Sequence, residues 1–373
     1  MHKQKNIGEG AILLAACCTA GGFTVWGGRM AMAQDASIGP PVNDRWMYPF
    51  ASQAGSRPTA PTFASLGTCG TDDRFDDRDA QFLVIFNTSG AFAPGQPPAS
   101  YDVAVVRLSV SVDTDVSFGT PFQYDPTYDA VATYFAPGDV VTPCAADPAL
   151  VADADAGRPI ELFAVAFRNG FTATSYLESS PFKPGSAFTP PWYLTRNAYP
   201  VFFGSTGGIV DASNHVKERV EVSPLAIGTI AGAVAGDFPV DGAVVTFTLD
   251  LSQPGVRQYV QEGLAAGRVA LLVTSMFFAQ QEALGSYPTF YTREGVSPSF
   301  PNATAPSLFV SVGGTATCAP DFNGDGTLDP DDLADYISAY FSVPPSSGSD
   351  YNGDGLTDPD DLADYIGAFF AGC

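Results

Sequence analysis

DFNGDGTLDPDDLADYISAYF, from Asp321 to Phe341, and DYNGDGLTDPDDLADYIGAFF, from Asp350 to Phe370, are one unit written twice at a period of 29 residues. Each begins with the calcium-loop pattern D-x-N-x-D-G and carries a carboxylate at the twelfth position. The spacing is set by the chemistry of a hard cation. Calcium takes six to eight oxygens, and a short loop must turn sharply to gather them. In the first loop Asp321, Asn323 and Asp325 offer side-chain oxygens, and Thr327 offers its backbone carbonyl. Asp329 stands where a ligand often acts through water, and Asp332 closes the shell. The second loop repeats the set with Asp350, Asn352, Asp354, Leu356, Asp358 and Asp361. Gly326 and Gly355 supply the backbone freedom that the turn requires. The expectation is two calcium ions, one per loop.

Each loop leads into a segment that reads as a helix. Pro330 and Pro359 stand at the first helical turn, where a missing N–H costs nothing. Leu333, Tyr336, Ile337 and Tyr340 recur at helical spacing, matched by Leu362, Tyr365, Ile366 and Phe369. The two stripes are expected to pack on each other as a minimal core.

Two features set these units apart from an ordinary EF-hand. Position twelve is Asp rather than Glu, and no amphipathic helix precedes either loop. Two such loop-plus-helix repeats, joined by a short Pro/Ser linker and ending in Gly372-Cys373, resemble a type I dockerin of the subgroup that closes in Gly-Cys. The likeness spans Cys318 to Cys373. It implies attachment to a cohesin-like module or a cell-surface scaffold, with loop positions ten and eleven as contacts: Pro330, Asp331, Pro359 and Asp360. Cohesin binders of the familiar kind carry Ser or Thr there, with basic residues further along the helix, and this chain has neither. A calcium-stabilised anchoring tag that meets no cohesin therefore stays open as a second reading.

Residues 34–313 read differently. Strand-like runs at Gln81–Asn87, Tyr101–Val112, Ile160–Phe167, Ala243–Leu251, Val269–Ser275 and Ser307–Val312 alternate with Gly, Pro, Asp and Ser clusters. A single helix is expected from Gly255 to Ala266. Many short strands with turn-rich connections predict a mainly β protein, an antiparallel jelly-roll-like sandwich, followed by the small helical calcium module of residues 314–373. The strand–helix–strand segment Thr246–Ser275 resembles the DNRLRE-type carbohydrate-binding jelly rolls of secreted bacterial proteins.

That resemblance implies a non-catalytic sandwich with polysaccharide as a candidate ligand. Trp46 with Tyr48, and Trp192 with Tyr193, are the aromatic pairs suited to stack on sugar rings, with Arg196 and Asn197 as hydrogen-bonding neighbours. The same rings also suit a sandwich core. The rival function is a dockerin-borne polysaccharide-degrading enzyme, a glycoside hydrolase or lyase. Glu161, Glu178, Glu218 and Glu221 are its candidate carboxylates, but no motif pairs them. His215, in a polar loop, reads as an exposed side chain rather than a catalytic base. The run Asp72, Asp73, Asp76, Asp77 and Asp79, with Arg74 and Arg78 interleaved, reads as a solvated loop rather than a further calcium site.

Charge and export signals bound the remaining possibilities. The formal net charge is -23, and residues 314–373 hold twelve Asp with no Lys, Arg or Glu. An acidic surface excludes nucleic acid as a partner, because phosphate binding needs basic groups. Residues 1–33 read as a signal peptide: Lys3 and Lys5, an apolar stretch, then Ala31-Met32-Ala33. Secretion or surface display is expected, with lipid anchoring at Cys17 as the lesser alternative. No later stretch has the length of a transmembrane helix. Cys69, Cys144, Cys318 and Cys373 remain after cleavage, an even number that reads as two disulfides in an exported chain. Three pairings are open. Cys69–Cys144 with Cys318–Cys373 keeps each bond inside its own folding unit.

Overall fold

RVALLVTS, Arg268–Ser275, is buried at every position after the first. Neither a period of two nor a polar face interrupts it, as befits a strand covered on both sides. The computed structural model that contains it describes residues 34–51, 54–66, 79–114, 121–128, 157–185, 196–213, 215, 220–280, 286–313, 320, 322–323, 328–343, 345, 349–351 and 356–371.

In chain order the strands are β1 (Gln34–Ile38), β2 (Asn43–Met47), β3 (Thr59–Pro61), β4 (Ala64–Leu66), β5 (Gln81–Asn87), β6 (Asp102–Ser111), β7 (Ile160–Phe167) and β8 (Ala198–Phe203). They continue with β9 (Ile209–Asp211), β10 (Ala226–Ile227), β11 (Thr229–Ile230), β12 (Val244–Thr248), β13 (Arg268–Ser275), β14 (Phe278–Gln280), β15 (Thr289–Tyr291) and β16 (Ser307–Gly313). Three helices are described: α1 (Val256–Ala265), α2 (Pro330–Tyr340) and α3 (Pro359–Ala371).

One sheet has the order β1-β16-β6-β12-β11, and a seven-stranded sheet runs β2-β5-β13-β7-β8-β9 with β10 also on β7. Every pairing in both is antiparallel. Alternate residues of the two sheets meet in one core. Val106, Leu108 and Val110 of β6 and Phe247 of β12 face Phe82, Val84, Leu271 and Leu162 of the other sheet. In the first sheet the intervening Arg107 is exposed and Ser109 is partly so, which is the period of two that its sequence shows. In the seven-stranded sheet the intervening residues are buried as well. Leu83, Ile85, Ala270 and Leu272 pack beneath Tyr176 and Phe182, brought over by the connection from β7 to β8.

The α1 helix lies on the same core through Val256, Val260 and Leu264. Its Tyr259 hydroxyl donates to the Ala270 carbonyl at 2.6 Å and accepts from the Val165 amide at 3.0 Å, tying the helix to β13 and β7. Gly255 enters it at φ 81°, a conformation that side chains disfavour.

The mainly β architecture with helices at the C-terminal end is as expected, and the six long runs form strands within a few residues of their expected limits. The small pair β14–β4, outside the two large sheets, is parallel. One expectation needs correction. The expected disulfides are not borne out: no disulfide bond is found among the six cysteines. Cys69, Cys144, Cys318 and Cys373 all lie outside the described residues. An even count of cysteines is compositional, whereas a disulfide requires Cα atoms within about 7 Å and suitably aimed side chains.

Candidate functional site: the repeated loops and a buried acidic cluster

The helices of the C-terminal repeats start at Pro330 and Pro359, as their prolines suggest. Asp329 caps α2: its Oδ1 accepts the Asp331 amide at 2.8 Å, while the Asp329 amide donates back to Asp332 Oδ2 at 2.9 Å. This is a reciprocal capping box, built with Asp in place of the usual Glu. The second repeat copies it, with the Asp360 amide on Asp358 Oδ1 at 2.9 Å and the Asp358 amide on Asp361 Oδ2 at 2.8 Å.

Both twelfth-position carboxylates are fully buried. Asp332 Oδ1 also accepts the Asn323 amide at 3.1 Å, and Asp361 Oδ1 accepts the Tyr351 amide at 2.8 Å. Each carboxylate therefore ties the start of its loop to the start of its helix. A carboxylate has about four lone-pair sites, so a cation can share it with these amides. Asp350, Leu356, Asp358 and Asp329 are described alongside them. Asp321, Asp325, Thr327, Asn352 and Asp354 lie outside the described residues.

The centre of this region is aromatic, not aliphatic. Tyr336 and Tyr365 are both fully buried and stack with ring centroids 3.8 Å apart and planes 4° from parallel. Phe322 and Tyr351, each the second residue of its loop, meet this stack edge-on. Each tyrosine then reaches into the opposite repeat. Tyr336 Oη donates to the Ser349 carbonyl at 3.0 Å, and Tyr365 Oη donates to the Pro320 carbonyl at 2.7 Å. Ser349 and Pro320 are the residues just before their loops, so the exchange is twofold. Burial, with Asp361 nearby, pushes the Tyr336 hydroxyl up to about 12. It stays a donor. Ile337, expected in the packed stripe, is 38 % exposed instead. Pro330, Asp331, Pro359 and Asp360 are exposed.

In the β region, Trp46 stacks on Tyr48 at 4.4 Å and donates its indole N–H to the Pro61 carbonyl at 2.8 Å. The Arg57 guanidinium lies 4.6 Å from its ring centroid. Trp192 and Tyr193 lie outside the described residues. Arg196 and Asn197, expected as ligand-binding neighbours, are buried structural groups. Arg196 bonds Gln81 Oε1 at 2.6 Å, and Asn197 bonds the Pro181 carbonyl at 2.8 Å.

His215 is also buried, against the expectation of an exposed loop residue. Its Nε2 lies 3.3 Å from Glu161 Oε2, itself buried in β7 and 3.3 Å from Thr274 Oγ1. Burial opposes charge on the imidazole, but Glu161 outweighs it and raises the His215 pKa above its ordinary value. The sequence signal was the lone charged residue in the apolar run IELFAVAF.

The other candidate carboxylates are dispersed. Glu221 is exposed and accepts from the Tyr128 hydroxyl at 3.2 Å, and Glu218 lies outside the described residues. Glu178 enters a cluster that no motif announced. Among the described residues, Asp44, Glu178 and Glu294 place one carboxylate oxygen each within 4.8 Å of one another. Arg293 binds Glu178 through Nη2 and Glu294 Oε1 through Nε at 2.8 Å, and its amide donates to Asp44 Oδ2 at 2.6 Å. Burial pushes the Asp44 carboxyl up to about 7 against the pull of that amide, and raises Glu178 as well.

No protein-family model matches the chain, and no curated protein matches it either. Among the described residues no helix is long and apolar enough to cross a membrane.

Proposed function

We propose that this is an exported calcium-binding protein whose C-terminal repeats form a dockerin-like docking module behind a jelly-roll-like, ligand-binding sandwich. The supporting observation is the twofold arrangement of the repeats: two buried twelfth-position aspartates and two tyrosines that exchange hydrogen bonds across the pair. A lone loop–helix unit cannot build that core. The repeat is therefore a functional pair rather than a duplicated tail.

The donor set suits calcium. Asp329, Asp332, Asp350, Asp358 and Asp361 are hard oxygen donors held at loop starts and helix caps, and Asn323 lies beside Asp332. With Asp321, Asp325, Asn352 and Asp354 they would hold two ions, and Thr327 and Leu356 would add backbone carbonyls. Calcium would neutralise the converging carboxylates and fix the loops. Pro330-Asp331 and Pro359-Asp360 would then be presented as two like faces to a cohesin-type or surface partner.

The test is hydrogen exchange on the full-length protein, with EDTA and then with excess calcium. Peptides covering residues 320–343 and 349–371 should gain protection with calcium, including the amides of Asn323, Tyr351, Asp329 and Asp358. Equal exchange in both conditions would refute the calcium reading.

A further inference from the structure

Apart from the repeats, three segments of the β region bring carboxylates to one point. Asp44 comes from β2, Glu178 from the connection between β7 and β8, and Glu294 from the turn Arg293–Gly295 after β15. The segments pack closely enough to require glycine. A Cβ on Gly55 would fall 2.3 Å from Glu178 Cβ, and one on Gly295 would fall 2.4 Å from the Pro58 carbonyl oxygen.

Arg293 holds one side of this group, through its amide to Asp44 Oδ2 and its guanidinium to Glu178 Oε1 and Glu294 Oε1. The Nη1 atom is spent on the Pro41 carbonyl at 2.9 Å. Asp44 is fully buried, yet its Oδ1 has no hydrogen-bond partner, and neither has the buried Oε2 of Glu294. The nearest cation to that Oδ1 is Arg293 Nε at 3.6 Å, already bonded to Glu294. Arg293 is hydrogen-bonded to all three residues and Arg45 acts on Glu178 at longer range, yet two buried carboxylate oxygens remain unpartnered, in a place where an unsatisfied polar atom is costly.

We infer that Asp44, Glu178 and Glu294 form a calcium site in the β region, independent of the repeated loops. A divalent ion gives the unpartnered Asp44 Oδ1 and Glu294 Oε2 a partner, and every donor is a hard oxygen with no imidazole or thiolate among them. The three oxygens lie within 4.8 Å of one another, so a point at their centre is at most about 2.8 Å from each, and a small inward shift of the side chains brings all three to calcium bond length. Calcium also tolerates the irregular ligand set that three separate segments impose, where magnesium demands a near-ideal octahedron. Glu178 is partly exposed on an open cleft of 440 Å³, so one of the three donors reaches solvent. The bound ion would clamp β2, the β7–β8 connection and the turn after β15 together.

Terbium is the probe, because it replaces calcium and emits when a nearby aromatic ring is excited. Trp46 lies two residues from Asp44 on β2, whereas residues 314–373 contain no Trp. Excitation selective for tryptophan therefore reports this site, and tyrosine excitation reports the loops as well. On the full chain, tryptophan-sensitised emission should appear, be displaced by calcium, and persist when Asp332→Asn and Asp361→Asn disable the loops. Glu294→Gln and Glu178→Gln should each weaken it about tenfold or more, with thermal unfolding in EDTA confirming that each variant folds. Should they fail to fold, the loop-disabled chain decides: its Tm should rise with added calcium. Absence of tryptophan-sensitised emission from the folded protein overturns the inference. So does emission unchanged in both folded glutamine variants, or a loop-disabled Tm indifferent to calcium. Loss of the tyrosine-excited signal alone would count against the loops and leave this site standing.

Discussion

The exchanged tyrosine bonds make a quantitative claim about how the C-terminal repeats cohere. Tyr365→Phe removes the hydroxyl that donates to the Pro320 carbonyl at 2.7 Å, and Tyr336→Phe removes its counterpart at 3.0 Å to Ser349. Both substitutions keep the stacked rings, so the packing term is nearly constant. Depriving a buried carbonyl of its donor costs about 1–3 kcal/mol. The lost bond joins one helix to the loop of the other repeat, so the cost falls on both repeats at once. A change of about 1–2 kcal/mol corresponds to a factor of about 5–30 in an opening equilibrium. Hydrogen exchange with calcium present should therefore show protection falling by roughly that factor in residues 328–343 and in residues 356–371 alike. Tyr340→Phe, on a half-buried ring of α2, should change neither. Should Tyr365→Phe loosen only the second repeat, or leave both as they were, the repeats are separate units and the reasoning fails.

The pair at Glu161 and the exposed helix starts each carry a further expectation. The folded His215 pKa is raised, so the pair's contribution to stability is complete below the unfolded value of about 6.5 and is lost as pH rises through the folded value. Denaturant unfolding across that range should show the loss in the wild type and not in Glu161→Gln; equal pH dependence in the two would sink the assignment. At the docking positions, Asp331→Lys alone should weaken partner capture little, because the Asp360 face remains. Asp331→Lys with Asp360→Lys should abolish capture with calcium affinity nearly unchanged, since both side chains are exposed and neither is a proposed ligand. Recovery of the same proteins by wild-type and doubly substituted baits would move the recognition surface elsewhere.

The strands were legible where composition and period spoke together. QFLVIFN and IELFAVAF are apolar runs bounded by turn residues, and both are strands over those residues. The helix starts at Pro330 and Pro359 were legible from their prolines. Period could not rank the residues within a stripe. Tyr336 and Ile337 looked alike on the helical wheel, yet Tyr336 is the buried centre and Ile337 faces solvent. The difference lies in the hydroxyl, which has an acceptor only because a second copy of the loop stands opposite.

Sites assembled across the chain left no such trace. Asp44, Glu178 and Glu294 belong to three distant segments, and the scattered Tyr176 and Phe182 gave no period to show that they cover the seven-stranded sheet. One clue was available for Glu161, the lone charged residue in the apolar run IELFAVAF, and a weaker one for Asp44, which stands in NDRWM beside the equally buried Arg45. A strand accepts such a residue only when another segment brings it a partner. Arg293 comes to Asp44 and His215 comes to Glu161, each from a distant part of the chain. A lone buried charge in a strand therefore predicts that a partner exists and leaves its address to the fold. The two-sided covering of β5, β13 and β7 has a parallel consequence. Its middle strands have no open face to offer a ligand, whereas β6 of the other sheet still presents Arg107, 4.7 Å from the Phe309 ring, on its outward side.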